Sequence, residues 1–206
     1  MKITPVRHPN QTLVLWIFMG YGVYFLTVLG FAVLSFAGAL VGLTDADRFQ
    51  AAGHWYQLML FSILGAIVGW SVGVLQKLVL ETRLNWDADS WVSASVVGGA
   101  LGGAAVFGVA LLRFNIPHLP SEGAAHLMPV FVVPLAVCQW AVLRRVIAQS
   151  HLWVLANWAA GVTYALIPSV LGGLPLLAAL MSPFAQAALT GMMLIFLFER
   201  FRRHNC

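Results

Sequence analysis

Six long apolar segments, separated by short polar stretches, are the feature of this chain that most limits its fold. They run over Leu13–Val41, Trp55–Leu80, Trp91–Phe114, Leu127–Leu143, Leu152–Leu171 and Leu174–Phe198. A helix needs about 20 apolar residues to cross the hydrocarbon core of a bilayer, where each backbone polar group must be satisfied internally. We therefore predict an all-α membrane protein, a bundle of six transmembrane helices that forms a single domain over residues 1–206.

The composition excludes an ordinary soluble domain. Of the 206 residues, 61% are hydrophobic and 9% are charged, whereas soluble domains carry about 25% charged residues. The first apolar run is longer than the signal-peptide h-region of about 7–15 residues, so we interpret it as a retained span. Basic residues stand at the ends of apolar runs and form no stripe with aromatics, so no nucleic-acid partner is expected.

Lysine and arginine predict the orientation in the membrane. With the N-terminus in the cytoplasm, nine of the 11 basic residues fall on the inner side and only Arg48 and Arg113 on the outer side. The positive-inside rule then favours an even number of spans with both termini cytoplasmic. The expected location is the inner (cytoplasmic) membrane of a bacterium, with the protein in direct contact with the lipid bilayer.

Aromatic residues stand near the predicted span ends. Trp55, Tyr56, Trp86, Trp91 and Trp153 occupy positions typical of the aromatic belt at a membrane–water interface. We expect them to lie in that belt.

One sequence segment occurs twice. Each copy has a glutamine near the end of an apolar run, Gln76 or Gln139, and a tryptophan at the start of the next run, Trp91 or Trp153. The glutamines are 63 residues apart and the tryptophans 62, which is two spans and two loops. The pattern predicts parallel two-helix repeats. A third, degraded copy without glutamine runs over Thr190–Arg200, and span one stays outside the pattern.

Small residues form rows on several predicted helices. Span two carries Gly69 within one such row, and span three carries Gly99 and Gly103 within one of its two rows. Small residues allow helix backbones to approach closely in lipid, where no hydrophobic force drives helices together. We predict that these glycines are helix-packing positions, and that span three contacts more than one neighbour and lies centrally.

Four amides lie within the predicted spans: Gln76, Gln139, Asn157 and Gln186. A buried amide in lipid forms hydrogen bonds across helices, each contributing about 0.6–2 kcal/mol. The favoured interpretation is structural, with each glutamine fixing its hairpin to a neighbouring helix. The alternative is a polar contact on a substrate path.

This arrangement resembles a group of uncharacterised bacterial multi-span membrane proteins, of cyanobacterial or Chloroflexi-like type. The repeated motif of that group is Gln-Trp-Leu-Val-Leu-Arg, and Gln139–Arg144 is similar to it. Gln76–Glu81 fits more loosely, with Lys77 in place of tryptophan and Glu81 in place of arginine. The final element of the group resembles Thr190–Arg200. The resemblance covers roughly residues 60 to 200 and implies an architecture, not an activity.

Residues that carry chemistry are few. The middle of each predicted span lacks ionisable residues, which argues against a proton-driven pump. His118, Glu122 and His126 are spaced by four and could hold zinc on a helix, but Pro120 and Gly123 interrupt it. A solvated loop is the favoured interpretation there, and we predict no metal site.

The sequence therefore favours a non-catalytic membrane subunit, an accessory or assembly component of a larger complex such as a photosynthetic or respiratory one. Its partners would be other membrane subunits or further copies of itself. The alternative is a transporter or channel for a small uncharged solute. An enzyme acting on lipid at the outer loops has only His54, His118, Glu122 and His126 to support it. No cofactor is predicted, and a bound pigment or lipid stays open.

Overall fold

The computed structural model describes residues 9–40, 53–84, 88–114, 125–147, 149–172 and 174–205, without the side chains of 27–40, 83–84, 113–114, 125 and 201–205. The described residues form six α-helices and no strand. The helices are α1 (Pro9–Leu40), α2 (Gly53–Leu84), α3 (Asp89–Phe114), α4 (Met128–Leu143), α5 (His151–Leu171) and α6 (Pro175–Asn205), with a 3₁₀ turn at Ala125–Leu127. The all-α prediction is confirmed.

Four of the described helices are long and apolar enough to cross a bilayer. These spans are Gly53–Thr82, Asp89–Leu112, His151–Leu171 and Pro175–Arg200, in α2, α3, α5 and α6. The apolar helix α4 is shorter, with 16 residues and a length of about 24 Å at 1.5 Å per residue. The chain is therefore a multi-pass membrane protein by helix length and composition.

Several residues at the helix ends are of the types that favour helix termini. Asp89 lies in the first turn of α3, where a carboxylate is favourable next to the positive end of the helix dipole. Gly172 ends α5 with a φ of 52°, a conformation that glycine adopts at little cost. Pro175 then opens α6, at a position where its missing N–H removes no helix hydrogen bond.

The helices form a closed ring in chain order. Each helix packs against the next one along the chain, and α1 packs against α6. Span three was expected to contact two neighbours, and α3 does pack against α2 and α4. The expectation that it lies centrally is wrong, because its main contacts are those of one member of a ring.

The tightest packing is at one end of the ring, where α2, α4 and α6 approach their last turns and α3 and α5 begin. Trp91, Trp153, Leu80 and Leu143 are completely buried in one apolar cluster there. Large apolar side chains elsewhere, such as Ile63 and Leu101, are exposed on the outside of the ring, as expected for a surface that lipid covers.

Candidate functional site

The two copies of the sequence repeat form the same hydrogen bond. Trp91 at the start of α3 donates its indole N–H to Gln76 Oε1 on α2, over 3.0 Å. Trp153 at the start of α5 donates in the same way to Gln139 Oε1 on α4, also over 3.0 Å. A buried tryptophan needs an acceptor for its one N–H. Each glutamine therefore binds the tryptophan that follows it in the sequence.

The two copies are also joined to each other. Gln139 Nε2 donates to Gln76 Oε1 over 3.0 Å and to Ser95 Oγ over 2.9 Å. Ser95 in turn donates to the carbonyl oxygen of Trp91 over 2.8 Å. Gln139 is only 1% exposed, so these bonds satisfy an amide that water cannot reach. Gln76 and Gln139 therefore both bond to side chains of other helices.

A third tryptophan completes this set. Trp16 on α1 donates its indole N–H to Thr190 Oγ1 on α6, over 3.1 Å. Its ring meets that of Trp153 edge-on, with centroids 6.2 Å apart, and Trp153 meets Trp91 at 5.7 Å. The sequence placed α1 outside the repeat, and this contact was missed. We call the six residues Trp16, Gln76, Trp91, Gln139, Trp153 and Thr190 the Trp–Gln layer.

The predicted aromatic belt is only partly correct. Trp55 is 80% exposed and Tyr56 is also exposed, as an interfacial position requires, whereas Trp91 and Trp153 are completely buried. The prediction for these two tryptophans is wrong, because their indole N–H groups have glutamine acceptors inside the bundle and not water at its surface. Trp86 lies outside the described residues.

An apolar plug lies on the side of the Trp–Gln layer toward the ends of α2, α4 and α6. It consists of residues three or four positions beyond the layer, and two more on α6. The buried members are Val79, Leu80, Val142, Leu143, Leu194, Leu197 and Phe198. These side chains pack together in one apolar cluster at this end of the ring.

On the other side of the layer, the helices enclose a cavity of about 190 Å³. Five helices contribute to its wall, and α3 is the one that does not. The lining residues are Trp16, Met19, Gly20, Val23, Tyr24, Val68, Val72, Gln76, Met128, Phe131, Val132, Leu135, Gln139, Asn157, Tyr164, Pro183, Gln186, Ala187 and Thr190. All four amides predicted from the sequence as polar contacts thus line one cavity.

The lining is apolar with a few neutral polar groups. None of the described lining residues is an aspartate, glutamate, lysine, arginine or histidine. Wall composition of this kind is typical of sites for small neutral molecules, where a few polar groups fix the orientation of the ligand. The joint placement of these residues has no signal in the sequence pattern, because they come from five separate helices.

The predicted packing glycines join α2 to α3. A methyl group added to Gly69 would overlap the carbonyl oxygen of Ser95, and one on Gly103 would overlap that of Phe61. Gly99 is equally tight against Gly65 and Gly69. At these three glycines the backbones of α2 and α3 approach within direct contact.

The other small-residue rows are also covered within the chain. Gly98 on α3 contacts Leu135 and Cys138 of α4, and Gly191 on α6 contacts Trp16. Gly161 on α5 contacts Val132. The helix-packing surfaces that suggested a partner protein are therefore occupied by this chain's own helices.

The structure describes only one of the three residues that the sequence offered as candidate zinc ligands. His118 and Glu122 lie outside the described residues, and His126 is exposed at the 3₁₀ turn before α4. Across the described ranges, no group of three or more histidine, cysteine, aspartate or glutamate side chains could hold a metal ion.

Comparisons with known proteins add no relative: no protein-family model, curated protein or solved structure matches this chain. The resemblance to bacterial multi-span proteins stays a prediction.

Proposed function

We propose that this protein binds a small uncharged solute inside its ring of helices and lets it cross the membrane. The observation that carries this proposal is the cavity of about 190 Å³, which is lined by neutral polar and apolar side chains of five helices. A purely structural bundle would be expected to fill its centre, because protein interiors pack as closely as organic crystals.

The proposal includes six spans, so that α1 and α4 also cross the bilayer. Helix α1 has 32 residues, a length of about 48 Å at 1.5 Å per residue. Helix α4 is short, but the 3₁₀ turn at Ala125–Leu127 extends it at one end. Six spans place both termini in the cytoplasm of a bacterial inner membrane, since nine of the 11 basic residues then lie on that side.

We also infer that the chain consists of three parallel two-helix units, made of α2 with α3, α4 with α5, and α6 with α1. In each unit the second helix supplies a tryptophan whose N–H donates to a polar side chain of the first: Gln76, Gln139 or Thr190. Such units would be related by an axis along the membrane normal, with the cavity around it.

The Trp–Gln layer and the plug would hold the cytoplasmic end of this path closed. Lys77, Arg144, Arg145 and Arg200 all lie on that side of the layer, which is the cytoplasmic side by the positive-inside rule. Passage then requires the layer to open, and the layer consists of hydrogen bonds that can be broken one at a time.

The accessory-subunit hypothesis remains the second proposal. A partner would have to bind the apolar outer surface, where Trp70 and Trp158 are more than half exposed, and lipid covers such a surface equally well. Because the small-residue rows are covered within the chain, the cavity favours the solute hypothesis over this one.

Filling the cavity should stop solute passage. Val72 lines the cavity, and we expect Val72→Trp to lower the permeability of proteoliposomes to a neutral solute at least fivefold. The added indole occupies most of the available volume. The measurement is the rate of vesicle swelling, by stopped-flow light scattering, with urea, glycerol and cyclohexanol as probes.

The matched control is Val97→Trp, the same substitution at a residue of α3 that is 54% exposed, which should retain the wild-type rate. If wild-type vesicles swell no faster than empty vesicles with any of the probes, the solute hypothesis is wrong. Co-purification of a stoichiometric membrane partner in that case would favour the accessory subunit.

A further inference from the structure

We propose that the cavity binds a neutral molecule that has an apolar body about the size of a six-membered ring and one hydroxyl or carbonyl group, which Asn157 and Gln186 hold. This inference rests on the proposed function: it takes the transported solute as the molecule that occupies the cavity, and it specifies the chemical class of that solute.

The two amides lie at the same height in the cavity. Asn157 follows Trp153 by four residues on α5, and Gln186 precedes Thr190 by four on α6. Since Trp153 and Thr190 both belong to the Trp–Gln layer, each amide lies about 6 Å beyond that layer, at a rise of 1.5 Å per residue. Helices α5 and α6 are packed neighbours, so the two amides form one polar side of the cavity wall.

Asn157 and Gln186 retain side-chain hydrogen-bonding groups for a ligand, whereas the donor and acceptor of the Gln139 amide are both engaged within the protein. Within the described part of the chain, the side-chain amide of Gln186 makes no hydrogen bond, although its backbone carbonyl accepts one from Thr190 over 3.0 Å. Asn157 is 6% exposed and donates Nδ2 to the carbonyl oxygen of Trp153 over 2.9 Å. Its Oδ1 stays available as an acceptor, on a helix that packs against the helix of Gln186.

The wall on the other side of the cavity is apolar at the same height. Val72 precedes Gln76 by four residues on α2, and Leu135 precedes Gln139 by four on α4. Both line the cavity, and so do Phe131 and Val132. A molecule with one polar end can therefore bind with that end toward Asn157 and Gln186 on α5 and α6 and with its body toward α2 and α4.

The volume of the cavity and the charge of its lining residues narrow the chemical class of the ligand further. A protein cavity of about 150 Å³ accommodates benzene, so about 190 Å³ accommodates a six-membered ring with one substituent. The described lining residues carry no counter-ion for a charged group, and a lone charge in such a site is strongly unfavourable. Carboxylates and amines of the same size are therefore excluded.

The test is isothermal titration of the full chain in lipid nanodiscs, with empty nanodiscs subtracted. Three probes of matched shape are compared: cyclohexanol, methylcyclohexane and cyclohexanecarboxylate. We expect the wild type to bind cyclohexanol with saturation and to bind the carboxylate at least 50-fold more weakly. In Gln186→Leu, cyclohexanol should bind about five- to tenfold more weakly, because one neutral hydrogen bond is lost, whereas methylcyclohexane should bind equally well or better.

Gln11→Leu is the matched control, because Gln11 is exposed at the start of α1 and lies outside the cavity; this variant should bind all three probes like the wild type. Equal loss of cyclohexanol and methylcyclohexane in Gln186→Leu would overturn the inference, and so would wild-type binding without preference among the probes. Selective binding of cyclohexanol without vesicle permeability would support this site and refute solute passage. Vesicle permeability without selective binding of cyclohexanol would support solute passage and refute this site.

Discussion

Gly69→Ala is expected to destabilise the bundle by about 3 kcal/mol, at the upper end of the range for over-packing a close-packed site. The added methyl group would overlap the carbonyl oxygen of Ser95 and lie 2.9 Å from its carbonyl carbon. Both atoms belong to the α3 backbone, which cannot rotate away as a flexible side chain could. Helices α2 and α3 would therefore have to separate along their contact. The measurement is the free energy of unfolding in mixed micelles of mild detergent and dodecyl sulfate.

Gly108→Ala provides the control for this prediction. Gly108 lies on α3 as well, but a methyl group added there would meet no atom within 4 Å. Since alanine is the better helix former by roughly 0.5–1 kcal/mol, this variant should be as stable as the wild type or slightly more so. Equal stability of the two variants would contradict the packing described for α2 and α3.

Gln139→Leu is expected to have the second large effect, a loss of about 3 kcal/mol in the free energy of unfolding. Leucine has a similar volume, but the substitution removes three cross-helix hydrogen bonds, to Gln76, Ser95 and Trp153. Each such bond contributes about 0.6–2 kcal/mol in a membrane bundle. The indole N–H of Trp153, which is completely buried, would be left without its acceptor.

The same unfolding assay checks this value, with Gln11→Leu as the exposed control. A double-mutant cycle with Trp153→Phe isolates the bond between Gln139 and Trp153, and its coupling energy should be about 1 kcal/mol. Additive effects of the two substitutions would mean that the two side chains do not interact, and the Trp–Gln layer would then be incorrect.

The sequence predicted the helices well because membrane spans leave a strong signal. Each predicted span coincides with a helix to within four residues at each end, except that α6 continues to Asn205, seven residues beyond the predicted end at Phe198. The glycine rows were expected at helix contacts, since residues spaced by four share one helix face. Gly69, Gly99 and Gly103 do lie where α2 and α3 meet.

The closed ring was not predicted, because the contact of α1 with α6 joins helices that are far apart in the sequence. A signal for it was present. Trp91 follows Gln76 by 15 residues and Trp153 follows Gln139 by 14, whereas the positions 14 and 15 residues after Thr190 hold His204 and Asn205 and no tryptophan. Its partner, Trp16, lies 174 residues away, at the start of the only helix that the repeat had left over.

For the glutamines, the sequence predicted the cross-helix hydrogen bonds but not the shared cavity. Cross-helix bonding follows from the cost of an unsatisfied amide in lipid, and this part could be argued from residue type. Gln76 and Gln139 also line a cavity, together with Asn157 and Gln186. This placement depends on how five helices are rotated relative to one another. A single sequence contains no direct measure of that rotation.

The central claim, that the ring encloses a space open to polar solutes, is tested most directly by cysteine labelling in lipid. Single cysteines are placed at Val72, on the cavity wall, and at Leu101, which is 53% exposed on the outside of α3. Both are made in a chain with Cys138→Ala and Cys206→Ala, and both are treated with a small polar thiosulfonate. We predict rapid modification of the cysteine at position 72 and almost none at position 101, because thiolates form and react only in water. Equally slow modification at both positions would show a dry interior and contradict this account.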